Sequence, residues 1–134
     1  MIDVLVVDDE PGVQEFVHIT LRRANMICRI VATGDGALIL AAKRWPDVFL
    51  VDLALSGRLD GWQLWDVLAV EADGRELRVV VFGADISGEL EAEARRRGAR
   101  AIIRKPVMPR GLIHGLFLAI SEFNPYYRAH ELHS

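Results

Sequence analysis

Three acidic side chains stand directly after apolar stretches of strand length. Asp8 and Asp9 follow the run 4–7, and Asp52 follows the run 48–51. Carboxylates at the end of a buried strand repel each other and are costly to remove from water, so a cation is expected to offset them. Acids grouped in this way favour either divalent-metal binding or phosphoryl transfer.

One basic residue has an equivalent place. Lys105 comes just after the apolar run 101–103 and directly before Pro106. An ammonium group beside the three acids would neutralise a phosphoryl oxygen. The chemistry expected is attack of a carboxylate on phosphorus, which produces an aspartyl phosphate. Taken alone, Lys105 would be a surface lysine, and only its position after the strand and before a proline favours a role in the site.

Oxygen ligands at these positions suit Mg²⁺, which binds carboxylates while keeping several waters. Asp9 and Asp52 are predicted direct ligands, and Asp8 is predicted to act through a water. The backbone carbonyl of Ala54 is predicted to supply a further oxygen. The competing interpretation makes Asp8 and Asp9 N-caps of the first helix. The presence of Asp52 and Lys105 argues against that interpretation.

Apolar runs of strand length alternate five times with helix-periodic stretches, which is typical of a parallel α/β sheet. The predicted strands cover 3–7, 27–31, 47–51, 77–82 and 100–103, and the predicted helices cover 11–24, 35–44, 61–72, 87–97 and 109–123. The continuous apolar character of the strands predicts helices on both faces of the sheet. Right-handed crossovers favour a doubly wound, flavodoxin-like, five-stranded sheet of order 2-1-3-4-5, whose crevice lies between strands 1 and 3.

Composition limits the remaining possibilities. The 134 residues fit one domain, predicted over 1–123, followed by a tail over 124–134 and no output domain. A net charge of −3 gives no reason to expect direct nucleic-acid binding. The single cysteine, Cys28, suits a reducing compartment, and no signal peptide or membrane span is recognised, so a cytoplasmic protein without membrane contact is expected.

Taken together, these motifs closely resemble the receiver domain of two-component response regulators. The matching segments are VLVVDDEP at 4–11, ATG at 32–34, Asp52-Leu53, Asp60-Gly61, RGA at 97–99 and Lys105-Pro106. The similarity extends over about 1–123, which is nearly the whole chain. Each motif is weak alone, but their common register makes the resemblance specific.

The resemblance implies a role for each site residue. Asp52 would be the phosphoacceptor, Asp8 and Asp9 would hold Mg²⁺, and Lys105 would contact the phosphoryl group. A histidine kinase or phosphotransferase would supply the phosphoryl group, and a downstream protein would receive the signal. Helix 4, strand 5 and helix 5 would form the surface for targets or for a homodimer. The domain would not be an enzyme, except that it promotes its own Mg²⁺-dependent phosphorylation and dephosphorylation.

The predicted switch region, Gly83, Ala84 and Ile102, departs from the family pattern. Receivers usually carry Ser or Thr where Gly83 stands and an aromatic residue where Ile102 stands. The lost hydroxyl removes a hydrogen bond to a charged group, worth about 1.5–3 kcal/mol. Helix 4 and the loop 83–88 before it are therefore the predicted responding element. Ser87 in this loop is predicted mainly as an N-cap, the alternative being that it reaches the phosphoryl group in place of the missing hydroxyl. The loop after Asp52 also carries Ser56 where a proline is common.

Three functional hypotheses follow. The first is a stand-alone receiver that takes phosphate on Asp52 and acts by protein contact. The second is a receiver-like interaction module that works without phosphorylation, which Gly83 and Ile102 favour. The third is a phosphatase that forms an aspartyl phosphate, and it is disfavoured because Asp8 and Asp9 are adjacent, whereas haloacid-dehalogenase-like enzymes use Asp-x-Asp.

Overall fold

A computed structural model describes residues 1–121, in which strands and helices alternate strictly. The strands are β1 (Asp3–Val7), β2 (Ile27–Val31), β3 (Val48–Val51), β4 (Val79–Gly83) and β5 (Ala101–Arg104). The helices are α1 (Pro11–Arg23), α2 (Gly34–Lys43), α3 (Gly61–Glu71), α4 (Gly88–Arg96) and α5 (Pro109–Ile120). The fifth helix ends at Ile120, before its predicted end at 123, because Ser121 is an extended C-cap. The predicted tail over 124–134 lies outside the described residues. Every helix within 1–121 is too short or too polar to cross a membrane.

The strands form one parallel sheet of order β2-β1-β3-β4-β5, which confirms the predicted doubly wound topology. Strands β1 and β3 are direct neighbours, and Val7 pairs with Val51 at their carboxyl ends. The ladder continues one step further, because the Asp52 amide donates to the Val7 carbonyl at 3.0 Å. The chain therefore delivers Asp8 and Asp52 side by side at the same edge of the sheet.

The last two strands end one residue later than predicted. Gly83 pairs with Arg104, so β4 and β5 extend beyond the expected ends at 82 and 103. The Lys105 amide then donates to the Gly83 carbonyl at 2.9 Å. This extra pairing brings both Gly83 and Lys105 to the carboxyl edge, next to the acids.

Complete burial between the two helix layers is confined to the central strands of the sheet. The residues of β1, β3 and β4 are all buried, as their apolar runs predict. The same expectation was wrong for the two edge strands: every residue of β2 is half-buried, and β5 has one exposed and one half-buried residue. An edge strand has a neighbour on one side only, so its side chains are less completely covered.

Side chains of the central strands alternate between two cores. One core lies under α1 and α5 and contains Val4, Val6, Leu50 and Phe82 together with Leu21, Leu112 and Leu116. The other lies under α2, α3 and α4 and contains Leu5, Val7, Phe49 and Val81 together with Ala37, Leu64 and Leu68. Both cores hold the ends of β1, β3 and β4 in place, so the edge that carries the acids is rigidly supported.

Helix α3 begins in direct contact with the backbone of the predicted phosphoacceptor. Its N-terminus is fixed by a capping box, in which Asp60 accepts from the Gln63 amide and Gln63 accepts from the Asp60 amide. A Cβ atom on Gly61 would lie 2.4 Å from the Leu53 Cα and 2.7 Å from the Asp52 carbonyl oxygen. Only glycine permits this approach, so Gly61 sets the position of α3 relative to Asp52.

Substitution of Gly61 tests this contact. We expect Gly61→Ala to lower the free energy of unfolding by about 1–3 kcal/mol, the usual cost of overpacking, because the new methyl group would overlap backbone atoms. Gly12→Ala is the matched control, since a Cβ there meets nothing within 4 Å. It should leave stability unchanged or raise it by up to about 1 kcal/mol. Urea unfolding measures the free energy of unfolding of both variants. Equal stability of the two would contradict the close contact of Gly61 with the backbone of Asp52 and Leu53.

Candidate functional site

Four side chains predicted from the sequence meet at the carboxyl edge of the sheet. Asp8, Asp9 and Asp52 each offer one carboxylate oxygen, and these oxygens all lie within 4.8 Å of one another. Asp8 is 0% exposed and Asp52 is 6% exposed, whereas Asp9 is half-buried. Lys105 joins them from the end of β5. The strands thus concentrate negative charge at a place where solvent screens it poorly.

The Lys105 ammonium group bridges the two buried acids. Its Nζ atom donates to Asp8 Oδ2 at 2.7 Å and to Asp52 Oδ2 at 3.1 Å. Burial alone would lower the pKa of Lys105, but the hydrogen bonds that it donates to Asp8 and Asp52 outweigh this effect, and the pKa lies above its ordinary value of 10.5. The stabilisation that depends on the charge of Lys105 is complete at neutral pH and is lost as the pH rises through that raised pKa.

Backbone amides fix the other oxygens of these two acids. Asp52 Oδ1 accepts from the Ala54 amide at 2.8 Å, and Asp8 Oδ1 accepts from the Glu10 amide at 3.0 Å. The N-cap of α1 is Glu10, which makes no side-chain capping hydrogen bond. Asp8 and Asp9 therefore do not cap α1, and their carboxylates face the cluster.

Asp9 is held by a residue of the loop that follows β3. Asp9 Oδ2 accepts from Ser56 Oγ at 2.9 Å and from the Ser56 amide at 3.3 Å. These bonds, the hydroxyl first, lower the pKa of Asp9 below its usual value of 3.8. Asp9 is consequently ionised at neutral pH, and the stabilisation from this contact disappears as the pH falls through the lowered pKa.

The cluster fits a hard divalent cation. All of the side-chain ligands on offer are carboxylate oxygens, the donors that Mg²⁺ prefers. The three carboxylates outnumber the single ammonium group, so the cluster keeps an excess of negative charge. The predicted carbonyl ligand, Ala54, lies in the same loop as Ser56, between Asp52 and α3.

The switch region lies beside the acid cluster. Gly83 is the last residue of β4, and a Cβ atom there would lie 4.0 Å from Asp52 Oδ1 and 3.4 Å from Ile86 Cγ1. Position 83 therefore faces Asp52 without a hydroxyl group, and the side chain of Ile86 packs next to it. Ala84 is exposed, and Ile102 is half-buried on β5, paired with Val81.

A cavity of about 340 Å³ opens next to Asp52. Its walls include Lys105, Gly83, Ile86 and Trp62. From the sequence, Ile86 is only a member of the loop 83–88, and Trp62 is not expected near the site. The neighbouring Gly61 could have indicated the position of Trp62. A helix that begins in contact with Asp52 brings its first side chains close to the site.

Ser87 does not reach the cluster. Its hydroxyl accepts from the Leu90 amide at 3.1 Å and caps α4, as predicted. The space beside Asp52 that a hydroxyl group would occupy in most receivers is therefore bordered by the apolar side chain of Ile86.

The fold and this acidic edge are those of a signalling domain of the two-component type. The chain belongs to the response regulator receiver domain family, whose family model matches residues 4–116. This match confirms the resemblance on which the residue roles were predicted. It covers all five strands and most of α5.

Several known proteins are similar to the chain. It is 35% identical over 105 residues to the nitrogen assimilation regulatory protein NtrX of Azorhizobium caulinodans, covering 78% of this chain and 23% of that protein. It is 28% identical to protein PilH of Pseudomonas aeruginosa, covering 80% and 88% of the respective chains. The crystal structure of the chemotaxis protein CheY4 of Vibrio cholerae superimposes with a TM-score of 0.80 at 26% identity, covering 87% and 97%. The chain spans 23% to 56% of the length of the first curated relatives it matches.

Removal of the bridging ammonium group tests the electrostatics of the cluster. We expect Lys105→Met to lower the free energy of unfolding by about 3 kcal/mol, because Asp8 and Asp52 would then be buried without a counter-charge. Lys43→Met is the matched control, since Lys43 is exposed at the end of α2 and is the only other lysine of the chain. Chemical denaturation at neutral pH without metal measures the difference. Two variants of equal stability would show that the bridge does not balance the buried acids.

Proposed function

We propose that this receiver domain accepts a phosphoryl group on Asp52 from a histidine kinase or phosphotransferase and signals by contact with a downstream protein. One observation carries the proposal: Lys105 Nζ lies 3.1 Å from Asp52 Oδ2 while it also bonds the fully buried Asp8. A cation is thus placed beside the nucleophilic carboxylate, within reach of a phosphoryl oxygen. A homodimer through α4, β5 and α5 is a further part of the proposal.

In the proposed reaction a carboxylate oxygen of Asp52 forms a bond to phosphorus. The bond between phosphorus and the imidazole nitrogen of the donor histidine breaks, and that nitrogen leaves with the electron pair and takes up a proton. Lys105 donates to an oxygen of the transferred group. Asp8, Asp9 and the Ala54 carbonyl would hold Mg²⁺ together with Asp52. When bound, Mg²⁺ offsets the negative charge that the acceptor and the phosphoryl group bring together.

The signal is proposed to pass through the loop between β4 and α4. A phosphoryl group on Asp52 would place new negative charge near the apolar side chain of Ile86, which packs beside Gly83. An anion is poorly solvated against such a side chain, so the two are expected to separate. Gly83 has no side chain to obstruct that movement. A local rearrangement of the loop would then replace the usual movement of a hydroxyl group toward the phosphate.

Helix α4 is tied to α3 by the residue that follows it, Arg97. The Arg97 guanidinium lies 4.8 Å from the centre of the Trp62 ring and donates to Asp66 at 2.7 Å. It also donates to Glu93 of α4 at 3.3 Å. Because Trp62 lines the cavity beside Asp52, this contact offers a second path from the site to the surface of α4.

A second candidate function is that of an interaction module that does not depend on phosphorylation. Gly83 and Ile102 favour this function, because both of the side chains that receivers usually use as a switch, the hydroxyl and the aromatic ring, are absent. Under this hypothesis the surface formed by α4, β5 and α5 would be the same whether or not Asp52 is modified.

Substitution of the acceptor tests the proposed chemistry. With acetyl phosphate and Mg²⁺ we expect the wild-type chain to gain one phosphoryl group and Asp52→Asn to gain none. Asp73→Asn, at an exposed turn with a φ of 46° that asparagine tolerates, is the control and should be labelled like the wild type. Phosphate-affinity gels and intact-mass spectrometry measure the label. An unlabelled wild-type chain, under conditions that label another receiver, would remove the proposal.

A hydroxyl restored at position 83 tests the switch region. We expect Gly83→Ser to lengthen the phosphorylated lifetime about tenfold, because a hydrogen bond to a charged group is worth about 1.5–3 kcal/mol. Gly83→Ala adds the same Cβ without the hydroxyl and should not reproduce the gain. The decay of labelled protein after removal of the donor measures the lifetime. Equal lifetimes for the serine and alanine variants would show that position 83 does not reach the phosphoryl group.

A further inference from the structure

Ser56 connects two parts of the chain that would each supply metal ligands. Asp9 follows β1, whereas Ser56 and Ala54 belong to the loop after β3. Both the amide and the hydroxyl of Ser56 donate to the same oxygen, Asp9 Oδ2, at 3.3 and 2.9 Å. These two hydrogen bonds attach the loop directly to the Asp9 carboxylate.

The loop is also fixed on either side of Ser56. The Ala54 amide donates to Asp52 Oδ1 at 2.8 Å, and the side chains of Leu55 and Leu59 are buried. Arg58 forms a close ion pair with Asp35 at the start of α2. The Ser56 contact therefore joins Asp9 to a loop that is already anchored.

We infer that Ser56 is a positioning residue of the Mg²⁺ site, because it orients Asp9 and holds the Ala54 segment beside it before the cation binds. This inference rests on the proposed function. Asp9 is less buried than Asp8 and Asp52, and both the hydroxyl and the amide of Ser56 donate to its carboxylate. A carboxylate that is already oriented loses less rotational freedom when it binds a cation.

The same contact could instead compete with the cation for Asp9. A carboxylate has about four acceptor sites, and Ser56 donates to one of its two oxygens, so capacity for a cation remains. Hydrogen-bonded second-layer groups generally strengthen metal sites, and their loss costs about 10–100-fold in affinity. The geometry favours support over competition, and the two predict opposite changes when the hydroxyl is removed.

Calorimetric titration with Mg²⁺ alone, without any phosphoryl donor, tests the inference. We expect Ser56→Ala to bind Mg²⁺ about tenfold more weakly than the wild type. This is the lower end of the range of about 10–100-fold for second-layer groups, because Ser56 is exposed. Ser56→Thr keeps both donors and should restore the affinity to within about twofold, since the same hydrogen bonds can form. Asp9→Asn identifies the site and should bind more weakly still.

The outcomes separate the inference from the proposed function. If the wild type binds Mg²⁺ in an Asp9-dependent way and Ser56→Ala binds equally well or more tightly, Ser56 does not position the site, and the proposed function stands. If the wild type binds no Mg²⁺, or Asp9→Asn binds as the wild type does, both are wrong. Metal-free Ser56→Ala should still unfold in one cooperative transition, with a thermal midpoint only slightly below that of the wild type because the lost hydroxyl contact is exposed, which shows that the loss of affinity is not a loss of folding.

Discussion

The bridge from Lys105 to Asp8 and Asp52 is the interaction on which this edge of the molecule depends. It joins side chains that are 97 and 53 residues apart in sequence. Buried carboxylates are tolerated only when a counter-charge and hydrogen bonds accompany them, and here the ammonium group and two backbone amides provide both. The parallel sheet makes the arrangement possible, because the carboxyl ends of its strands lie along the same edge.

In the proposed function, the charges that stabilise the resting fold would also make the site responsive. Lys105 divides its hydrogen bonds between two acids, so a new anionic group on Asp52 would change its partners. Cation binding would act on Asp9, which lies at the more open side of the cluster and is held by Ser56. Ile86, which packs beside Gly83 and lines the cavity next to Asp52, is apolar. In the proposed function, chemistry and conformation would be linked through local electrostatics and solvation rather than through a hydroxyl group and an aromatic side chain.

Sequence reasoning could predict the fold and four site residues because both depend on regular patterns. Alternating apolar runs determine a parallel sheet, and residues directly after those runs must share one edge. The contact of Ser56 with Asp9, the packing of Ile86 beside Gly83 and the place of Trp62 could not be read in this way. They depend on the path of the loop after β3, where Gly57 has a φ of 103°, and on the rotation of α3 and α4. Burial of the edge strands was overestimated because their apolar runs resemble those of the central strands, although the predicted strand order already places β2 and β5 at the edges.

The most direct test of the central claim is a set of amide NMR spectra of the wild-type chain, alone, with Mg²⁺, and with Mg²⁺ and beryllofluoride. Mg²⁺ is expected to shift the amides around Asp8, Asp9, Ser56 and Lys105. Beryllofluoride, which mimics a phosphoryl group on Asp52, is expected to shift in addition the amides of 83–88 and of α4. Spectra unchanged by Mg²⁺ would contradict the metal site. Spectra that change at Asp52 but not at 83–88 would contradict the proposed transmission through the loop beside Ile86.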